Sequence, residues 1–275
     1  MNRKYIEEFS LEGKVIVVTG GTGVLGHAFI KGIAAAGATV AVLGRNRQIA
    51  EQRVAELTDA GGSATALIAD VTVAEELIGA RQQLMETYGS IDGLVNGAGG
   101  NMPSATVQPA DDLFNLDMAG LKQVIDLNLH GTLLPTQVFG QAMVRSGGGS
   151  IVNISSMASQ RAITKVLGYS LAKAAIDIYT KWFSVEMANR YGDKLRMNAI
   201  APGFFLTEQN RTLLTRPDGS YTERGKLVLK QTPYHRFGDA DELCGALIWL
   251  LSDASKFVTG TVINVDGGFA VFSGV

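Results

Sequence analysis

Short β-branched and aliphatic runs alternate along this chain with stretches of helical period. KVIVVTG at 14–20 is an unbroken apolar run closed by glycine, the pattern of a strand buried on both faces. TVAVLG (39–44), ATALIAD (64–70), IDGLVNGAGG (91–100), GSIVNISS (149–156), KLRMNAIAPG (194–203) and TVINVDGG (261–268) repeat it. Between the first four runs, GHAFIKGIAAAGA, RQIAEQRVAELTDAGG and AEELIGARQQLMETYG space their apolar residues as helices do, and a Gly pair stops the second. Long helices are also predicted at 113–145 and 168–190. This alternation predicts an α/β chain whose parallel strands form a doubly wound sheet, with helices on both faces. No composition break or repeat divides it, so residues 1–275 are expected to form one domain. The longest irregular segment is 204–240, which contains the turn signal Pro217-Asp218-Gly219; an excursion of this length predicts a lid or binding segment.

Composition narrows the function classes. With 46% hydrophobic and 18% charged residues, the chain can bury a sizeable core. Its net charge of -2 gives no general attraction to nucleic acid. Cys244 is the only cysteine, so no internal disulfide can form and a reducing compartment fits. The start, MNRKYIEEFSLEGK, lacks the apolar centre of a signal peptide, and no apolar run reaches the roughly 18 residues of a membrane span. A cytoplasmic protein acting on a small molecule, without a membrane or nucleic-acid partner, is expected. His27, His130 and His235 show no ligand spacing, so no metal is expected.

The first strand-to-helix turn reads TGGTGVLG. Gly21, Gly23 and Gly26 satisfy G-x-G-x-x-G between a strand and a helix, where backbone can approach a pyrophosphate at a helix N-terminus. Gly20, Thr22, Gly23, Val24, Leu25 and Gly26 are the candidate contacts; a tight turn without a ligand reads the same. The second strand ends in AVLGRN, with no acid to take an adenosine ribose. Gly44 is read as leaving space. Arg45, with Asn46 beside it, is read as reaching a 2′-phosphate, so NADP(H) is favoured over NAD(H). Arg45 fits equally as a solvated side chain. Asp70, followed by Val71, fits either an adenine contact or the N-cap of the next helix.

In GYSLAKAAI, Tyr169 and Lys173 lie one helical turn apart, a spacing that by itself also suits an ordinary surface pair. Taken with TGGTGVLG, NGAG (96–99), NISS (153–156), YSLAK (169–173) and APG (201–203) in that order, the chain resembles the short-chain dehydrogenase/reductases over nearly its whole length. Two positions depart from that family: Val24 stands where its middle glycine falls, and Gly97 where its second Asn falls. The resemblance implies a Rossmann fold and hydride transfer with a nicotinamide cofactor. It implies Tyr169 as acid/base and Lys173 as the ammonium that lowers the phenol pKa and holds the nicotinamide ribose. It implies Ser156 on the substrate oxygen; strand alternation turns Ser155 the other way if the strand continues to that point. Asn128, in DLNLHG, corresponds to an asparagine on a water-linked proton path; tying down backbone is its other reading. Asn96, Ala98 and Gly99 would line the cofactor, and Pro202, Gly203, Phe205 and Thr207 would meet its nicotinamide end. Two interfaces, one from the helices at 113–145 and 168–190 and one from the last strand with GGFAVFSGV, would make a homotetramer.

The segments expected around the substrate are GNMPSA, MASQRAIT and FFLTEQNRTLL. They hold Asn101, Gln160, Arg161, Gln209, Asn210 and Arg211, which either bind a hydroxylated anion or face solvent. GGNMPSAT and PGFFLTEQNRTLL resemble the sugar-acid branch of the family, which handles D-fructuronate/D-mannonate or ketogluconate/gluconate. The alternative is a 3-oxoacyl-carrier-protein reductase, whose acidic partner would need a basic patch such as Arg211, Arg216, Arg224, Lys226 and Lys230. A catalytically silent NADP(H) sensor is the reading from another class, and the presence of Asn128, Ser156, Tyr169 and Lys173 argues against it.

Overall fold

A computed structural model describes residues 4–275, except for the side chains of Lys4, Glu208 and Gln209. Seven strands build one sheet: β1 Val15–Thr19, β2 Thr39–Gly44, β3 Ser63–Ile68, β4 Gly93–Asn96, β5 Gly149–Ile154, β6 Leu195–Pro202 and β7 Val262–Val265. All neighbours pair in parallel, in the order β3-β2-β1-β4-β5-β6-β7. The helices are α1 Lys4–Glu7, α2 Val24–Ala35, α3 Arg47–Asp59, α4 Ala74–Tyr88, α5 Met118–Ile125, α6 Gly131–Arg145, α7 Leu167–Tyr191, α8 Glu208–Leu214, α9 Glu223–Gln231 and α10 Cys244–Leu251.

The two-residue period of a strand sends alternate side chains to opposite faces. Ile16 and Val18 of β1 join Phe29 and Ile33 of α2 and Leu247 and Leu250 of α10 in one core. Val15 and Val17 join Leu77 and Leu84 of α4, Phe139 and Met143 of α6 and Met187 of α7 in the other. The unbroken apolar runs thus reflect burial on both sides. Every residue of β1 and β6 is buried.

Two expectations change. The helix expected from residue 113 begins at Met118, because Asp117 caps it by accepting from Ala119 and Gly120 N–H groups at 3.0 Å. Between α5 and α6, residues Asp126–His130 widen into a π turn. The segment at 204–240 is a helical hairpin, not an irregular lid. Thr207 and Asn210 cap α8 reciprocally, and the Thr222 hydroxyl caps α9. Leu214, Val228 and Phe237 form its small core. Gly219, at φ +83°, turns the chain between the two helices. No helix among the described residues is long and apolar enough to cross a membrane.

Candidate active site

The strand order reverses between β1 and β4, and crevices form where such a reversal occurs. Here a cleft of about 370 Å³ opens beyond the strand ends. Gly20, Thr22, Gly23, Val24, Leu25 and Gly26 line one side, with Gly44, Arg45, Asp70, Val71, Ala98, Gly99 and Thr207 around the rest. The turn is wound tightly. Gly20 has φ +69°, and a Cβ on Gly26 would lie 2.0 Å from the Gly20 carbonyl oxygen. Gly97 and Ala98 N–H groups both donate to Thr19 Oγ at 3.1 Å, which pins the β4 exit to the turn. The result is a glycine cradle facing the N-terminus of a 12-residue helix, which fits the pyrophosphate of a dinucleotide.

Several side chains sit differently from the expectation. Gly44 does not open a free space: Thr22 fills it, and a Cβ there would meet Thr22 Cγ2 at 2.9 Å. Arg45 is on the wall, largely exposed, with Nη1 at 3.6 Å from the Asp70 carboxylate. Burial pushes the Asp70 carboxyl up, but the Thr72 hydroxyl and N–H and the Arg45 guanidinium outweigh it and hold it below its usual range. Asp70 is not the N-cap of α4; Val73 holds that position. Asn46 does not reach the cleft wall, because its side chain caps α3 on the Ile49 N–H at 3.1 Å. Asn96 also stays off the wall. Its amide donates to Thr136 Oγ at 2.9 Å and Asn153 Oδ1 at 2.8 Å inside the sheet. Leu127 lines the cleft without having been anticipated, since nothing in an apolar helical residue marks it.

A second cleft, about 660 Å³, adjoins the first through Leu25 and Thr207. Ser156 and Tyr169 are on its wall. β5 ends at Ile154, so strand alternation does not carry on to Ser155 and Ser156, and both line this cleft. Ser155 donates to Asp177, while Ser156 Oγ accepts from the Ala158 N–H at 3.1 Å. Lys173 is buried at 3% exposure, its Nζ 5.4 Å from the Tyr169 ring centre, and donates to the Ile154 carbonyl at 2.7 Å. Burial lowers the Lys173 pKa from 10.5 to about 8, against the opposing charge of Asp177. Burial likewise raises the Tyr169 phenol above its ordinary value, with Ser156 opposing. Lowering of the phenol by Lys173 is therefore not a property of these side chains alone. Asn128 lies in the π turn and is fully buried. Its Oδ1 accepts from the Gly100 N–H at 3.0 Å, and its Nδ2 donates to the Gly100 carbonyl at 2.7 Å. The backbone-tying reading of Asn128 is thus present in the structure. A Cβ on Gly99 would lie 2.6 Å from Asn128 Oδ1 and 3.4 Å from Lys173 Nζ, so the two side chains converge there.

The polar residues expected around substrate divide. Asn101 and Asn210 line the second cleft, as do Pro202, Gly203 and Phe205. Asn101 Nδ2 donates to Thr106 Oγ at 2.8 Å, while its Oδ1 is buried without a partner. The Asn210 amide is spent on Thr207 N–H and the Phe205 carbonyl. Arg161 turns away and donates to the Phe272 carbonyl at 3.0 Å, holding the C-terminal tail. Gln160 pairs with Asn264. Arg211 is exposed and outside the cleft wall. The side chain of Gln209 lies outside the described residues. The arginine on the wall is Arg224, considered from sequence only as part of a basic patch; it donates to Thr164 Oγ at 3.1 Å. Most of the wall is apolar, including Met102, Ile163, Val166, Phe204 and Leu213.

Comparison with known proteins bears on this geometry. The family model described as enoyl-(acyl carrier protein) reductase matches residues 23–270. The chain is 42% identical over 275 residues to the uncharacterized oxidoreductase UxuB of Bacillus subtilis (strain 168), covering 97% of this chain and 98% of that one. A Haemophilus influenza structure provisionally named D-mannonate oxidoreductase, with bound NAD, superposes with TM-score 0.90 at 41% identity, covering 97% of this chain and 98% of that one. A gluconate 5-dehydrogenase from Burkholderia cenocepacia J2315, in complex with NADP and tartrate, gives TM-score 0.84 at 32% identity, covering 96% and 98%. With the glycine cradle, the seven-stranded parallel sheet, and Ser156 and Tyr169 on one cleft wall with Lys173 buried beside the Tyr169 ring, these likenesses make the chain a nicotinamide-dependent oxidoreductase of the short-chain dehydrogenase/reductase family.

Proposed function

We propose that the enzyme interconverts a ketone and a secondary alcohol on a sugar acid, D-fructuronate/D-mannonate or a ketogluconate/gluconate pair. The observation that carries this reading is Arg224 with its guanidinium, and Asn101 with a buried amide oxygen that has no partner, on the wall of the same cleft as Ser156 and Tyr169. A guanidinium suits a carboxylate, and an amide oxygen suits a hydroxyl. The names carried by the two similar structures agree with this class. NADP(H) is the favoured cofactor, supported by Arg45 on the cleft wall and the lack of an acid at the end of β2.

The residues act as follows. Gly20 to Gly26, Arg45 and Lys173 would hold the cofactor, which would supply or accept a hydride at the substrate carbon. Ser156 donates to the carbonyl oxygen and aims it at Tyr169. The Tyr169 hydroxyl gives its proton to that oxygen in reduction and takes it back in oxidation. Lys173 as an ammonium favours the phenolate that remains. Asn128 holds Gly100 and so fixes the loop that leads to Asn101.

A 3-oxoacyl-carrier-protein reductase is the second reading, favoured by the apolar side chains of the cleft and by exposed Lys226 and Lys230 on α9. Initial rates with keto and hydroxy sugar acids, and with an acetoacetyl thioester, using NADH and NADPH in turn, separate the two. Efficient thioester reduction with no turnover of any hexuronate or ketogluconate would overturn the sugar-acid reading and leave the dehydrogenase chemistry in place.

A further inference from the structure

Asp177 takes no part in the chemistry above, yet its carboxylate sits behind the catalytic serine. It lies on α7 one turn beyond Lys173. One carboxylate oxygen accepts from the Ser155 hydroxyl, and the other is 2.6 Å from Ser159 Oγ. Ser159 Oγ is in turn 2.7 Å from the Ser156 carbonyl oxygen, which also accepts the Ser159 N–H at 3.0 Å. The same strand end is held by the Ser155 N–H on the Ile200 carbonyl at 2.7 Å and by Lys173 on the Ile154 carbonyl at 2.7 Å. Hydroxyl bonds to a carboxylate are charge-assisted and stronger than neutral ones, so this bracket is stiff.

We propose that Asp177 is a positioning residue for the reaction: it brackets the Ser155–Ser159 turn that presents Ser156, and it supplies the countercharge for Lys173. The proposal rests on the reading of Ser156, Tyr169 and Lys173 given above. The electrostatics agree with it, because Asp177 acts against the loss of the Lys173 proton that burial favours. Tyr169 and Asp177 are the titratable groups beside Lys173 on its own helix. In the π turn, Asp126 pairs with Lys122 and His130. On β6, Arg196 is bound to Leu250, Ser252 and Ser255. None of these competes with Asp177.

The test measures kcat, KM and the pH profile of ketone reduction for Asp177→Asn, Asp177→Glu, Ser159→Ala and Tyr169→Phe. D-Fructuronate and 2,3-butanedione, a generic ketone, serve as substrates, with NADPH binding by fluorescence and thermal melts alongside. Asp177→Asn is expected to lower kcat about tenfold or more, with NADPH binding within about twofold of wild type. Its alkaline limb should move to lower pH, because Lys173 without its countercharge gives up its proton sooner. Asp177→Glu should restore that limb. Ser159→Ala should lower kcat without moving it. A folded Asp177→Asn protein with wild-type kcat and limb overturns the proposal. So does a loss of kcat that only follows a lower melting temperature and leaves the limb in place. If Asp177→Asn does not fold, unchanged kcat in Ser159→Ala overturns it. An active Tyr169→Phe protein would bring down the catalytic reading and this proposal together; an inactive one beside a normal Asp177→Asn brings down the proposal alone.

Discussion

Thr22 and Gly44 fit against each other: a Cβ at residue 44 would stand 2.9 Å from Thr22 Cγ2 and 3.0 Å from its Oγ. The glycine at the end of β2 thus makes room for a side chain from the first turn. Threonine is stiff at χ1 and cannot easily swing aside. An acid introduced to grip an adenosine ribose must first displace it. Gly44→Asp alone is expected to weaken NADH and NADPH alike, and a shift toward NADH to appear only with Thr22→Ala added. Fluorescence titration of both cofactors checks this, and a clean shift in the single variant would show that Thr22 yields.

Arg45 gives the sharper test of cofactor preference. Removing a charge-assisted contact to a 2′-phosphate costs on the order of 1.5–3 kcal/mol. Arg45→Ala is therefore expected to weaken NADPH about ten- to a hundredfold and to leave NADH nearly unchanged. Equal losses for the two cofactors would mean that Arg45 serves only its ion pair with Asp70.

Arg224 and Arg211 make a matched pair for the substrate. Arg224 is on the cleft wall and Arg211 is outside it. Arg224→Ala is expected to raise KM for a sugar acid roughly ten- to a hundredfold, with Arg211→Ala close to wild type. Steady-state kinetics giving the reverse order would return the carboxylate to Arg211.

Lys173 should leave a signature in stability against pH. Burial depresses its folded pKa to about 8, below its ordinary 10.5. The unfolded chain then binds the proton more tightly, so this group adds stability as pH rises from about 8 toward 10.5. Lys173→Met carries no proton. Its stability relative to wild type is expected to be greatest near neutral pH and to shrink across that window. Urea melts showing a pH-independent difference would place Lys173 in a wetter site.

Assembly should show on α7. Leu171, Ile178, Trp182 and Val185 are exposed along this helix. Phe257, Val271 and Val275 are exposed near the C-terminal end. Two separate apolar faces of this kind suit a tetramer with two isologous contacts. Light scattering at micromolar concentration is expected to give a tetramer, and Trp182→Glu a smaller species. A monomeric wild type refutes the arrangement.

Strands and site motifs were legible in the sequence because each rests on local rules. Buried parallel strands read as apolar runs, and glycines mark the turn that folds back onto Gly20. The helical hairpin at 204–240 was not legible, since its apolar residues meet only after Pro217-Asp218-Gly219 reverses the chain and brings Leu214 to Val228. Polar side chains around the site were the least legible of all. Arg161 and Arg224 are alike in sequence, and only tertiary contacts send one to the Phe272 carbonyl and the other to the cleft. Gly44 suggested empty space because the occupant, Thr22, comes from another strand end.

The π turn at Asp126–His130 has a cost and a use that belong together. Deleting one residue there would restore regular helical phase, and would also rotate everything before it by about 100°. Leu121 and Val124 of α5 would leave their buried positions, while α6 kept Phe139 and Met143 in the core. The extra residue therefore sets the phase between α5 and α6, and from this turn the Asn128 side chain holds the Gly100 peptide as well as the Val124 carbonyl. Regularity of this helix and an amide at the site are alternatives, so a sequence optimised for helical stability alone would lose the site.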